Sequence, residues 1–515
     1  MRLRSFSIII FSMITLNYKK INANTIKNQY IVKIKENALN AFSNSKDFQR
    51  LSRRIPLFVF EGDNTKIKNQ LYFFQNDIEY IEPVYEIRLV ESFADSNKTT
   101  LNEEFPGQWA LENNNDTDVD IIEAWQYTKG KSDIVVAVID TGVDYNHSEL
   151  KYNIWSNQNE IPDNNVDDDQ NGYVDDTRGW NFSDNSNDPF DDNSHGTHCA
   201  GIIAAQGNKT YGVAPGVKVM PLKFLSGNGS GSTAGAILAI DYAIEMKADV
   251  LSNSWGGSQY SKALKEIIEK AHEEGIIFAA AAGNNGKNLD QNKMYPASYE
   301  VDNIISVANI QSNGKLHYSS NFSTQYTDLA APGAQILSTI PGESYASYTG
   351  TSMSTPFVAG AVSLLLSVDG NLDNKKIKNI LKKTVKKSKD LTDKTNSGGF
   401  LKIAAAIKEL INPGEDEDPF DINLMELRTR SYKRWFQTHH RLIISTHGPK
   451  NYLEKIDKVV YEYKKDNSTQ KHSSKSAKNK FQVKLKTMSP KQEVRATLYL
   501  KDGRKMPISK DLLNL

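Results

Sequence analysis

The order of apolar and polar residues divides the chain into three stretches. From about Gln29 to Val90, short alternating runs such as Tyr30-Ile-Val-Lys-Ile-Lys, Leu57-Phe-Val-Phe and Ile78-Glu-Tyr-Ile-Glu-Pro-Val predict a small α+β unit. From Trp109 to Ile411 the pattern changes. Ile134-Val-Val-Ala-Val-Ile is continuously apolar, as a parallel strand covered on both faces must be. Val217-Lys-Val-Met, Val250-Leu-Ser, Ile276-Ile-Phe-Ala-Ala and Ile304-Ile-Ser-Val-Ala follow, with room for helices between them. Helices are predicted over Ala234–Lys247 and Ser261–Glu274, the second with Ala263, Leu264, Ile267, Ile268 and Ala271 on one stripe. This alternation predicts an α/β fold on a mostly parallel sheet. Strand-like runs return at Arg441-Leu-Ile-Ile-Ser-Thr, Lys458-Val-Val-Tyr-Glu-Tyr, Phe481-Gln-Val-Lys-Leu-Lys and Val494-Arg-Ala-Thr-Leu-Tyr-Leu, with a hairpin signal at Asp502-Gly503. Residues 425–515 therefore read as an all-β sandwich, in which the polar Asp466–Lys480 stretch is expected to be a long loop.

Charge sharpens these boundaries. The chain has 62 basic and 62 acidic residues in 515, yet residues 425–515 hold 22 basic against 8 acidic. The neutral total is a balance of opposed segments, which marks the C-terminal piece as a separate unit. A proline-bounded acidic linker, 412–424, precedes it. The polar stretch 92–106 reads as a mobile processing joint between a 24–91 unit and a 107–411 unit. Arg2 and Arg4 followed by the apolar Phe6–Leu16 form a secretory pattern, with cleavage expected after Ala23, although Lys19 and Lys20 are unusual there. Residues 1–23 are thus expected to be a signal peptide and the protein to be secreted. Cys199 is the one cysteine, so no intrachain disulfide can form and stability must come from a core or a bound metal.

Three local motifs carry candidate chemistry. Asp140 ends the apolar run in Ile139-Asp-Thr-Gly-Val-Asp144; His195 opens His195-Gly-Thr-His-Cys-Ala-Gly201; Ser352 lies in Gly350-Thr-Ser-Met-Ser-Thr-Pro356. Peptide hydrolysis by serine needs a hydroxyl, a base for its proton and a carboxylate to orient that base. Alone, each motif could be a turn aspartate or a helix cap; together and in this order they form a strong signal. His198 is expected to be structural, and Cys199 a small buried helix residue. A serine esterase is disfavoured, because that class needs G-x-S-x-G and the reverse order of acid and nucleophile.

With these motifs the chain resembles the subtilisin family (subtilases) over roughly Gln108 to Ile411, which implies a doubly wound, subtilisin-like catalytic domain and a serine endopeptidase. The resemblance implies a triad of Asp140, His195 and Ser352, with Asn284 in Ala280-Ala-Ala-Gly-Asn-Asn-Gly as oxyanion donor. It also implies that Gly229-Ser230-Gly231 and Ser254-Trp255-Gly256 pair with an extended substrate. Ala281, Gly283, Asn285 and Tyr295-Pro296 would line the primary pocket, favouring an apolar or aromatic residue before the scissile bond.

Ten aspartates lie between Asp163 and Asp192. Asp167, Asp169, Asn171, Tyr173, Asp175 and Asp176 surround the turn-forming Gly172 much as in calcium loops, and Asp184, Asn185, Asp188, Asp191 and Asp192 resemble the thermitase calcium loop. Ca2+ is the expected cofactor; the alternative is a solvated acidic loop. The shortened Gln206-Gly-Asn-Lys-Thr-Tyr-Gly loop is not expected to hold another ion. Residues 24–91 resemble the family's inhibitory prodomain, so the expected partners are protein or peptide substrates and the chain's own prodomain. Processing is expected within the joint that begins near Glu91, at a bond the sequence does not fix. The C-terminal unit weakly resembles prokaryotic YEATS-type domains, immunoglobulin-like sandwiches, and no ligand is assigned to it. No nucleic-acid partner is expected, and a monomer is. The rival function is a catalytically inactive homologue that binds through its C-terminal unit.

Overall fold

The computed structural model describes residues 24–43, 45–62, 66, 74–90, 93–94 and 107–413, together with 426–432, 440–447, 456–465, 468–475, 483–487, 494–500 and 505–510. The signal segment, the linker from residue 414 and most of the joint lie outside the described residues. Residues 1–413 and 414–515 form two separate compact units.

The first unit is built on a nine-stranded sheet. In spatial order its strands are Lys386–Lys387, Gly399–Phe400, Leu329–Pro332, Ile304–Ile310, Ile277–Ala281, Val250–Asn253, Val135–Asp140, Lys218–Lys223 and Trp180–Asn181. All neighbours are parallel except the first pair. Alternation along Val135–Asp140 sorts its side chains into two layers. Val136 and Val138 face the core under the Thr351–Val368 and His195–Ala204 helices, while Val135, Ala137 and Ile139 face the Thr233–Glu245 and Lys262–Glu273 helices. Both faces of the sheet are therefore covered, which is why the strands read as unbroken apolar runs. The stripe of Ala263, Leu264, Ile267, Ile268 and Ala271 is buried as its spacing requires, and Ser261 caps that helix by accepting the Leu264 N–H at 3.1 Å. Thr351–Val368 is long and apolar enough to cross a membrane, but 89% of it is buried as the central helix of this core.

The N-terminal residues make a second, antiparallel sheet from Phe48–Arg50, Leu57–Glu61, Thr25–Ile34 and Ile78–Leu89. A phenylalanine cluster of Phe42, Phe48, Phe58 and Phe60 fills its own small core. The last strand leaves that core and runs between two edges of the larger domain. Arg88 faces Gly256 and Leu89 faces Trp255 on one side, while Glu86, Ile87 and Arg88 face Ser232, Gly231 and Ser230 on the other. Polar contacts fasten the unit below. Glu82 accepts hydrogen bonds from the Ser261 hydroxyl and the Lys262 N–H, Arg54 reaches Glu245 at 2.8 Å, and Lys33 reaches Glu266 at 2.9 Å. Partly exposed ion pairs such as Arg54–Glu245 contribute at most ~1 kcal/mol each. Burying Ile87 and Val90, 2% and 3% exposed, contributes about 1.5–3 kcal/mol each, so apolar side chains dominate the docking of this strand.

In the second unit two antiparallel sheets are seen. One contains Glu426–Tyr432, His440–His447 and Val483–Thr487; the other contains Ser468–Ser474, Ile456–Lys465, Val494–Leu500 and Lys505–Lys510. Ser468–Ser474 corrects the expected Asp466–Lys480 loop. It is an edge strand, and its Ser, Thr, Gln and Lys residues are the polar choices that edges favour, which hid it from an apolar-pattern reading. Asp502-Gly503 lies outside the described residues, between two strands that pair antiparallel.

Candidate active site

Asp140 closes the Val135–Asp140 strand, whose two neighbours come from opposite directions along the sheet, Lys218–Lys223 on one side and Val250–Asn253 on the other. Such a switch point opens a crevice at the carboxyl ends of the strands, and the site lies there. Asp140 is buried, and its Oδ1 accepts from His195 Nδ1 at 2.8 Å and from the Thr141 N–H at 2.7 Å. A carboxylate can only accept, so Nδ1 carries the proton and Nε2 has a lone pair. Burial works against a charge on this ring, but the Asp140 carboxylate outweighs it and holds His195 well above the ordinary histidine value.

His195 is the first residue of its helix, and two neighbours fix that start. At Gly196 a Cβ would sit 2.0 Å from the Gly142 carbonyl oxygen, so glycine alone lets the helix press against the turn after Asp140. The buried Asp191 carboxylate accepts five hydrogen bonds. They come from the N–H groups of Asn193, Ser194 and Thr197 and from the hydroxyls of Thr141 and Thr197, at 2.6–3.0 Å. His198 donates to Ala346 O at 3.0 Å and stacks on Tyr348, and burial pushes its pKa down to about 3, so it stays neutral. Burial likewise pushes the Cys199 thiol up, which keeps it protonated beside His195.

Ser352 is the second residue of the Thr351–Val368 helix. Pro356, four residues on, has no N–H, so the Ser352 carbonyl is released from the helical ladder and accepts the Ser254 hydroxyl at 2.9 Å. The Ser352 hydroxyl donates to Val90 O at 2.9 Å and lies 3.3 Å from Ser254 O, while His195 Nε2 has no hydrogen-bond partner among the described residues. Asn284 sits close by, its Oδ1 accepting from the N–H and hydroxyl of Thr351 at 2.9 and 3.0 Å, which orients its amide. Gly283 before it has φ +106°, and a Cβ there would lie 2.3 Å from Asn321 Nδ2.

The two expected substrate segments flank the end of the Ile78–Leu89 strand and Val90 after it. Gly229 O accepts from the Leu89 N–H at 2.9 Å, Ser254 O from the Val90 N–H at 3.5 Å, and Ser230, Gly231 and Gly256 lie in the paired register. Trp255 takes part through its backbone; its ring is fully buried against Phe224 and Phe278 and does not face the cleft. Ala281 is buried at a strand end and Asn285 is exposed.

The aspartate-rich loop sorts differently from its sequence pattern. Carboxylate oxygens of Glu160, Asp169 and Asp176 lie within 4.8 Å of one another. Asn157 and Asn171 amides each reach both Asp169 and Asp176 at 2.8–3.2 Å, and Tyr242 donates to Asp176 at 2.5 Å. Burial pushes Asp176 upward, against hydrogen bonds from Tyr242, Asn157 and Asn171 that favour its charged form, and the Asp169 carboxylate adds to the rise. Crowded oxygens of this kind suit a hard cation such as Ca2+. Glu160 and Asn157 escaped the sequence reading because they precede the alternating run. Asp167 and Asp175 instead accept backbone N–H groups, from Asn171 and Gly172 and from Asn164 and Asn165, and the Tyr173 ring packs on Trp180 and Tyr242.

The second aspartate group does not converge on one point. Asp184 accepts from Asn181, Asp188 from Tyr145, Asp191 caps the His195–Ala204 helix and Asp192 pairs with Lys223 at 2.5 Å. In the Gln206–Gly212 loop, the Glu149 carboxylate accepts the N–H groups of Gly207, Asn208, Lys209 and Thr210.

Comparison with known proteins agrees with this geometry. The profile of the subtilase family matches residues 131–400. Subtilisin-like protease 1 of Plasmodium berghei (strain Anka) is 35% identical over 337 residues, 61% of this chain and 56% of that protein. A thermophilic serine proteinase of Bacillus sp. (strain AK1) is 38% identical over 267 residues, 51% of this chain and 59% of its own length. Subtilisin E of Bacillus subtilis (strain 168) is 38% identical over 257 residues, 49% of this chain and 60% of its own length. The chain thus spans a little over half the length of these relatives. With more than half of its residues matched by the family profile, the chain belongs to the subtilase family, a family of serine-type endopeptidases.

Proposed function

We propose that this chain is a secreted serine endopeptidase, made as a precursor that its own N-terminal unit holds inactive. The observation that carries this reading is the 2.9 Å hydrogen bond from the Ser352 hydroxyl to Val90 O, made where a strand of residues 24–91 lies paired in the cleft like a substrate. In the mechanism, Asp140 fixes the histidine tautomer and supports the imidazolium that forms. His195 Nε2 accepts the Ser352 proton during attack and returns it to the leaving amine. A tetrahedral oxyanion would receive hydrogen bonds from the Asn284 amide and the Ser352 N–H. Before attack the Ser352 hydroxyl must turn from Val90 O towards Nε2, a side-chain rotation consistent with the looser hydrogen bonds of a resting site.

Calcium fits as a structural cofactor held by Glu160, Asp169 and Asp176, with the Asn157 and Asn171 amides turned to present oxygen. It would neutralise three crowded carboxylates and brace the loop that leads to His195. The substrates are proteins or peptides bound as an added strand, with an apolar or aromatic side chain before the scissile bond. The enzyme acts as a monomer, and the C-terminal unit is a YEATS-like sandwich with no ligand assigned.

A fluorophosphonate probe tests the central claim. Only an activated serine reacts, so the processed protein should label and Ser352→Ala should not. Ser352→Ala should also accumulate as an unprocessed, folded precursor. A wild-type protein that never labels would favour the inactive binding homologue.

A further inference from the structure

We propose that Lys223 is a positioning residue for the reaction, its buried ammonium tying the turn after Asp140 to the segment that leads into His195. The inference rests on the endopeptidase reading and adds to it a residue outside the triad and the oxyanion site.

Lys223 ends the Lys218–Lys223 strand and lies beside Asp140 in the parallel register. Its side chain is only 3% exposed. An ammonium stays charged in such a place only where its donors are met and a counter-charge is near. All three N–H groups are used. Nζ donates to Thr141 O at 2.7 Å, to Leu225 O at 3.2 Å and to Asp192 Oδ1 at 2.5 Å. Packing alone does not call for this charge. The flanking Leu222 and Phe224 are buried apolar side chains, and an apolar residue in place of a buried ion pair is often neutral or stabilising.

The three acceptors show what the charge does. Thr141 follows the triad aspartate, and its N–H donates to Asp140 Oδ1 at 2.7 Å, the same oxygen that accepts His195 Nδ1. Asp140 Oδ2 is buried with no hydrogen-bond partner among the described residues, so the carboxylate is oriented from the Oδ1 side. The Thr141 hydroxyl also accepts the Gly196 N–H at 3.0 Å, beside the catalytic histidine. Asp192 lies three residues before His195, and the next residue, Asn193, donates to Gly227 O at 2.8 Å. Leu225 returns to the aspartate, its N–H donating to Asp140 O at 3.2 Å. A shift of the Thr141 carbonyl away from Nζ therefore carries with it an N–H that aims the Asp140 carboxylate at the imidazole. Lys223 touches neither substrate nor the reacting atoms and acts through Thr141 and Asp192.

The test uses Lys223→Met in the full chain, which keeps an unbranched apolar side chain and removes the three donors. Activity is counted per serine labelled by a fluorophosphonate, so that misfolded molecules drop out. On a peptide substrate kcat should fall about 10–100-fold while KM stays within about twofold. In the Ser352→Ala precursor the same substitution should shift the NMR resonance of the His195 Nδ1 proton, because its bond to Asp140 loosens. A folded Lys223→Met protein with the parent's kcat, or with the parent's resonance, overturns the proposal. Should Lys223→Met fail to fold, Asp192→Ala takes its place, since the Asp192 side chain is 59% exposed and its loss leaves the core intact. There kcat should fall about 3–10-fold at constant KM, and a kcat equal to the parent's would overturn the tie to the histidine segment. A parent chain that neither labels nor cleaves would remove the endopeptidase reading, while the resonance in Ser352→Ala would still decide whether Lys223 aligns Asp140 with His195.

Discussion

Asp191→Asn is the sharpest test of how the His195–Ala204 helix is held. The carboxylate takes three donors on Oδ1, from Asn193, Ser194 and Thr141, and two on Oδ2, both from Thr197. An asparagine has one accepting oxygen, so its NH2 group must face either the first set or the second. In the milder orientation the Thr197 N–H is left buried against another donor, while the Thr197 hydroxyl can rotate away. Each buried donor that loses its partner costs about 1–3 kcal/mol, and one or two are lost, giving roughly 1–6 kcal/mol. In a domain of this size that corresponds to a Tm lowered by about 2–10 °C. The assay is best run in a Ser352→Ala background, where neither self-processing nor autolysis can alter the sample, by calorimetry with calcium in excess. In the active chain kcat should also fall, because His195 sits in the first turn and a shift near 1 Å costs about 10²-fold. A variant that melts with its parent in calcium, yet has lost the parent's response to chelator, would refute the cap and make Asp191 a metal ligand.

Asn284→Leu should lower kcat by about 10²–10³, the magnitude known for the oxyanion asparagine of subtilisins, with KM little changed; steady-state kinetics on a peptide would detect an unaffected kcat and dismiss the residue. His195 must be neutral to accept a proton, and Asp140 raises its pKa, so the neutral fraction grows only above the ordinary histidine range. The self-processing rate should therefore climb with pH through and beyond neutrality, and a limb complete below pH ~6.5 would contradict the assignment. Chelation should lower Tm, by about 4 kcal/mol of stabilisation if free calcium had stood a thousandfold above Kd. Asp169→Asn with Asp176→Asn should remove that response, and melting unchanged by chelator in the parent would leave the aspartates as a solvated face.

The parallel sheet was legible because burial on both faces forces unbroken apolar runs, and Val135–Asp140 and Ile277–Ala281 begin within a residue of their expected starts. The Lys262–Glu273 helix was equally plain, since its stripe and its Ser261 cap are local signals. What escaped depends on partners distant in sequence. The Ser344–Thr349 strand is polar and mostly half-buried, paired with Ile336–Ile340 on one side and Phe93–Ala94 on the other, and nothing in Ser-Tyr-Ala-Ser-Tyr-Thr announces those partners. Aspartate spacing located the acidic loop but could not separate carboxylates that face one another from those that hold backbone turns. Asp169 and Asp175 look alike in sequence; one lies with Glu160 and Asp176, while the other holds Asn164 and Asn165. Nor could pattern reveal that Trp255 lends its backbone to the cleft and its ring to the core.

The Glu149 carboxylate, ringed by four N–H groups of the Gly207–Thr210 turn, has a consequence for how this protein meets a changing environment. A tethered anion is supplied in fixed stoichiometry with the chain and cannot be stripped by a competitor. The turn just beyond the His195–Ala204 helix should therefore keep its order without a bound ion, and if calcium binds as proposed, sensitivity to its supply should lie in the 157–176 segment. When calcium becomes scarce, unravelling should begin at that one flank, and the first internal nicks should map there and spare residues 206–212.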